Sequence, residues 1–136
     1  MDEQISNQQA FSEKVVWITG ASGGIGEEMA VAFAESGSKV VLSARNEQQL
    51  ERVKDRCCDA GASRESVLVL PLDVMDLEAM PAAVDSVMES YSRIDLLINN
   101  AGVGVRDFCT EVRLDLYRTA LEVNLIGPIA LTKQVL

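Results

Sequence analysis

The 136-residue chain has no histidine. That absence excludes a Ser-His-Asp triad, a Cys-His pair and most transition-metal sites together. Cysteine is scarce: Cys57 and Cys58 are adjacent, Cys109 stands alone, and no spacing suggests a zinc knuckle. The three read as reduced thiols of a reducing compartment, and no metal is expected. Positive charge is in short supply, with 12 Lys and Arg against 21 Asp and Glu and a net charge of −9. A chain without a basic face is a poor match for a phosphate backbone, so no nucleic-acid partner is expected. No apolar run approaches the roughly 20 residues that span a bilayer. The polar, acidic start Met1-Asp2-Glu3-Gln4 is unlike a secretory or transit sequence, so the chain reads as soluble and cytoplasmic.

What is present is a hydrophobic fraction of 48%, enough for one core. Residues 1–13 read as a loose polar leader and 14–136 as one domain. Across that domain short apolar runs alternate with helical periodicity, the pattern of βαβ units around a parallel sheet. Strands are expected at Lys14 to Thr19, Lys39 to Ser43, Ser66 to Leu72 and Ile94 to Ile98. A first helix runs from about Gly24 to Ser36 with Ile25, Met29, Ala32 and Phe33 on its buried stripe. A second is capped by Asn46, with Gln49 completing a capping box, and buries Leu50, Val53, Cys57 and Ala60. A third carries Met80, Val84, Val87, Met88 and Tyr91 on one face, with Pro81 in its first turn. A long helical pattern from Leu114 to Leu136 follows, through Tyr117, Leu121, Leu125, Pro128, Thr132 and Val135. Right-handed crossovers give four parallel strands in the order 3-2-1-4 with four helices, and a ligand site at the carboxyl ends of strands 1 and 4.

Strand 1 runs straight into Thr19-Gly20-Ala21-Ser22-Gly23-Gly24-Ile25-Gly26, which opens the first helix. A glycine triplet in that setting suits a phosphate: Gly20 allows a tight turn, Gly24 close backbone approach, and Gly26 tight packing of helix on sheet. The spacing is G-x-x-x-G-x-G. The order of this motif, Asp73, Asn99-Asn100-Ala101-Gly102 and Asn124 resembles the short-chain dehydrogenase/reductase family, over Lys14 to the end of the chain. Glu51-Arg52-Val53-Lys54 and Leu68 to Asp73 further resemble a membrane-associated subgroup of it. The resemblance implies a Rossmann-type doubly wound α/β fold and a nicotinamide cofactor. Cofactor contacts are then expected at Gly20, Ser22, Gly23, Gly24, Ile25 and Gly26, at Asp73 and Val74 around the adenine, and at Asn100, Ala101 and Gly102. Asn99 is assigned to tying strands together.

No acid stands at the tip of strand 2, where an NAD site places one for the ribose hydroxyls; Arg45 stands there. A guanidinium pairs with a 2′-phosphate, so NADP(H) is expected, with NAD(H) as the alternative. In many NADP-dependent relatives a second basic residue occupies the position held here by Gly23. Asn124 is the expected catalytic contributor. Pro128, four residues on, has no N–H for its carbonyl, and the family's matching asparagine orders a water at a helix kink.

The family's proton transfer uses Tyr-x-x-x-Lys, yet Tyr91 precedes Asp95 by four residues and Tyr117 precedes Leu121. The chain therefore reads as the cofactor-binding half of an oxidoreductase that interconverts alcohols and ketones or aldehydes, incomplete at its carboxyl terminus and inactive alone. In the full-length protein a homo-oligomer through the last helix is implied, and an anchored longer form at the endoplasmic reticulum is compatible with the subgroup. The alternative is a non-catalytic nucleotide-binding or dimerisation module. A methyltransferase-like domain leaves Asn99 to Gly102 unexplained.

Overall fold

Val15–Thr19 form β1, and all five side chains are buried. Such a run needs cover on both faces, and alternation along it divides the core in two. Val16 and Ile18 join Ala30, Ala34, Leu50, Val53 and Cys57 on one side of the sheet. Val15 and Trp17 join Met80, Ala83, Val87 and Leu131 on the other. The computed structural model describes residues 10–136, so most of the expected leader lies outside the described residues. The part inside is docked: Phe11 packs edge-on against Phe33 at 5.2 Å, and the Glu13 amide donates to the Gly37 carbonyl.

After β1 come α1 (Gly24–Glu35), β2 (Lys39–Ser43), α2 (Glu47–Asp59), β3 (Val67–Val69), α3 (Met80–Tyr91) and β4 (Leu96–Ile98). The chain ends in α4 (Leu114–Leu121), a π-helical turn (Glu122–Ile126) and α5 (Gly127–Val135). The sheet is parallel, in the order β3-β2-β1-β4, as the crossover rule requires. Among the described residues no helix is long and apolar enough to cross a membrane.

The edge strands are shorter than expected. Ser66 belongs to a 3-10 turn before β3, although the amides of Leu70 and Leu72 still donate to β2-side carbonyls. At β4 the Asp95 carboxylate takes the Val15 amide at 2.8 Å, replacing a ladder bond with a side chain.

The buried stripe of α1 is also displaced. Gly26, Glu27, Ala30 and Ala34 face the sheet, while Ile25 is 73% exposed. Small residues let this helix lie close to the strands, so its larger apolar side chains turn outward or to the margins. On α2 Leu50, Val53 and Cys57 are buried as read, whereas Ala60 is the half-buried residue that ends the helix, and the capping box is half formed. Asn46 accepts from the Gln49 amide, and the Gln49 side chain accepts from Arg52 instead of reaching back. On α3 the buried residues are Met80, Ala83 and Val87, and Met88 is exposed. Along the last helical run Val123, Gly127 and Leu131 are buried, whereas Leu114, Leu121, Leu125 and Ile129 face outward.

Candidate functional site

At the carboxyl ends of the strands lies a cleft of about 980 Å³. Its walls are the turn after β1 (Gly20, Ser22, Gly23, Ile25), the tip of β2 (Ala44 to Glu47), the segment after β3 (Leu72 to Met75) and the loop after β4 (Asn100 to Val103). Thr119 and Val123 close it from the last helical run. The position follows from the strand order, since β1 and β4 send their chains to opposite faces of the sheet.

The turn is locked to the loop after β4. Thr19, almost fully buried, accepts hydrogen bonds at Oγ1 from the amides of Asn100 and Ala101, both at 3.1 Å. Asn100 Nδ2 donates to the carbonyls of Thr19 (3.1 Å) and Gly20 (3.2 Å). A Cβ on Gly20, at φ +65°, would stand 2.8 Å from the Ala101 Cα, and one on Gly26 would stand 2.2 Å from the Gly20 carbonyl oxygen. Gly24 differs: its φ is +56° but a Cβ there would meet open space. Here glycine serves the backbone angle, and at Gly26 it serves the approach. The first turn of α1 has no side-chain cap, which leaves the positive end of a twelve-residue helix at the cleft. A cradle that side chains would fill, ending in uncapped amides, fits a pyrophosphate.

Ten of the twelve expected cofactor residues line the cleft; Gly24 and Gly26 shape the turn from behind it. Arg45 is exposed on the wall and, among the described residues, pairs with no carboxylate. Glu47 lies on the same wall. Asp73 Oδ1 accepts from the Met75 amide at 2.9 Å, so the acid shapes its own turn while facing the cleft. The tie between strands expected of Asn99 is made by Asn100, which joins β1 to β4 and also lines the cleft as expected. Asn99 donates to Thr132 Oγ1 on α5 at 3.1 Å. Asn99 is the more exposed of the two, so its side chain turns to the helix beyond the sheet.

Asn124 is not on the cleft wall. Its amide grips the Val103 backbone from both sides: Oδ1 accepts from the Val103 amide and Nδ2 donates to its carbonyl, each at 2.8 Å. The π-turn around it is fixed by the Gly127 amide donating to the Glu122 carbonyl. Gly127 is forced, because a Cβ would stand 2.4 Å from the Val74 carbonyl oxygen. The segment after β3 thereby rests on the start of α5.

Neither tyrosine is prepared for proton transfer at neutral pH. Burial pushes Tyr91 up to about 12, and its hydroxyl donates to the Glu65 carbonyl ahead of β3, at the end of the sheet away from the cleft. A hydrogen bond with Cys109 pushes Tyr117 upward. Burial raises the Cys57 thiol to about 11, which makes it inert packing.

Sequence reasoning missed the ion cluster behind the turn. Hydrogen bonds from Arg52, then Arg56, hold the buried Glu27 carboxyl down at about 2. The available signal was an acid one residue beyond the last glycine of the motif, with arginines at i and i+4 on the next helix.

A family model described as short chain dehydrogenase matches residues 14–136. The human protein named dehydrogenase/reductase SDR family member 7 is 47% identical over 127 residues, covering 93% of this chain and 38% of its own length. NAD+-bound xylitol dehydrogenase superposes with a TM-score of 0.85 at 32% identity, over 92% of this chain and 47% of its own. A metagenomic short-chain oxidoreductase in complex with NADP superposes at 0.83 and 30%, over 92% and 56%. The chain therefore spans well under two thirds of the length of each.

Proposed function

The chain belongs to the short-chain dehydrogenase/reductase family, and on that premise we propose that it supplies the nucleotide-binding half of an NADP(H)-dependent oxidoreductase interconverting an alcohol and a ketone or aldehyde. The observation that carries this reading is one continuous cleft with the glycine turn on one wall and the uncompensated Arg45 on another. A bound nicotinamide dinucleotide would supply the hydride chemistry. The chain's own part is to seat it: amides of Ser22 to Gly26 toward the pyrophosphate, Arg45 toward the 2′-phosphate, Asp73 and Val74 around the adenine, and Asn100 to Gly102 along the nicotinamide side. Asn124 contributes by holding Val103 on the rim. Glu47 on the Arg45 wall is what favours NAD(H) as the second reading.

Titration calorimetry with NADPH and NADH tests the assignment. We expect NADPH to bind roughly tenfold tighter, the scale of a charge-assisted contact, and Arg45→Ala to abolish the difference. Equal affinities in the unaltered chain would overturn NADP(H), and binding of neither would overturn the nucleotide site. No Tyr-x-x-x-Lys occurs in these 136 residues, so we expect no turnover with NADPH and a carbonyl compound; measurable turnover would sink that expectation.

A further inference from the structure

We propose that Arg52 is a positioning residue for the phosphate-binding turn, acting through the Ser22 carbonyl it holds and the Glu27 carboxylate it clamps. This role rests on the nucleotide reading above. Ser22, Gly23 and Gly24 are the part of the turn with the most backbone freedom: Gly23 is fully extended, Gly24 has a positive φ, and no side chain caps the helix that follows. The brace comes from the neighbouring helix. Arg52 on α2 places Nη1 2.7 Å from Glu27 Oε1, and Nη2 2.7 Å from Glu27 Oε2 and 3.3 Å from the Ser22 carbonyl oxygen. Its Nε donates to Gln49 Oε1 at 3.0 Å, so every nitrogen of the guanidinium is engaged and the group is held in place.

Glu27 is anchored in turn. It is 7% exposed, Arg56 Nη1 reaches its Oε1 at 2.6 Å, and its Oε2 lies 4.0 Å from where a Cβ on Gly23 would stand. Arg52 thus links a buried anion in the first turn of α1 to the carbonyl just before that helix begins. Four of its five N–H groups are engaged by protein partners, which makes the guanidinium a fixed support of the turn. Arg56 offers the comparison, because it pairs with the same carboxylate and with Glu28 but makes no bond to Ser22.

The test compares Arg52→Gln with Arg56→Gln in the whole chain. Two ligands are titrated: 2′-phospho-ADP-ribose, which carries the pyrophosphate, and adenosine 2′-monophosphate, which does not. With Arg52→Gln the first should weaken about tenfold and the second stay within about twofold. Arg56→Gln should change neither more than about threefold, and Arg52→Lys should lie between. Equal weakening of both ligands by Arg52→Gln, or no weakening of either, overturns the role. Amide hydrogen exchange at Glu27, whose amide donates to the Gly23 carbonyl within the braced turn, measured without ligand, separates this role from the nucleotide reading. Arg52→Gln should accelerate it about tenfold, and unchanged exchange overturns the brace. If the unaltered chain binds neither ligand while exchange still accelerates, the nucleotide reading falls and the brace on the turn stands.

Discussion

Trp17 shows how a single residue decides a core. It is fully buried, yet its indole N–H donates to Ser43 Oγ at 2.8 Å, and Ser43 donates to the Leu70 carbonyl at 2.7 Å. One hydroxyl thus satisfies a buried donor on β1 and an acceptor beyond β3. Ser43→Ala leaves the indole N–H unpaired, and we expect a loss of roughly 1–3 kcal/mol in urea unfolding; Trp17→Phe in the Ser43→Ala background should recover part of it. Glu27 acts at the same scale through pH. Its folded value of about 2 lies below the ordinary 4.5, so its stabilisation is complete above about pH 4.5 and fades as pH falls toward 2. Glu27→Gln should flatten the stability profile across that window, and an unchanged acid limb would show that other carboxylates govern it. Neither contact was legible from the sequence, because each depends on residues 25 or more positions apart meeting across the fold.

At the scale of elements, order, type and the glycine turn were legible, and helix faces were less so. Reading for large apolar side chains selected Ile25 and Met29 on α1, but the surface against the sheet is built from Gly26, Ala30 and Ala34. Close approach rewards small residues, which a hydropathy pattern scores as neutral. In the last helical run the cause is different. The helix before the π-turn buries none of its residues. The π-turn places one extra residue in the turn, so the buried face beyond it runs through Val123, Gly127 and Leu131 while Leu125 and Ile129 point outward. The glycines of the turn allow a graded test. Gly26→Ala drives a methyl into the Gly20 carbonyl and should cost about 3 kcal/mol. Gly24→Ala meets open space and should cost only the left-handed backbone, about 1 kcal/mol. Similar losses for the two in thermal unfolding would contradict the distinction between approach and angle.

For the molecule as a whole, the location of the cleft could be read from the strand order alone, while the cleft's inner wall at Thr119 and Val123 could not, because it depends on where the π-turn sets the last helix. The outward leucines of that run, with Ile129, form an apolar stripe on the outer surface. Stripes of this kind favour association, and we expect the chain to sediment as more than a monomer at micromolar concentration. Leu125→Asp with Ile129→Asp should shift it toward monomer, and a sedimentation profile indifferent to both changes would remove that surface from consideration.

Trp17 has one further consequence. It is the sole tryptophan, wholly dry, and its side chain points to the face of the sheet covered by α3 and α5, away from α1. Its fluorescence should be blue-shifted in the native chain and move to longer wavelength only when the sheet opens. Emission colour therefore serves as a built-in optical gauge of global unfolding, against which the local changes made at the turn can be read without a label.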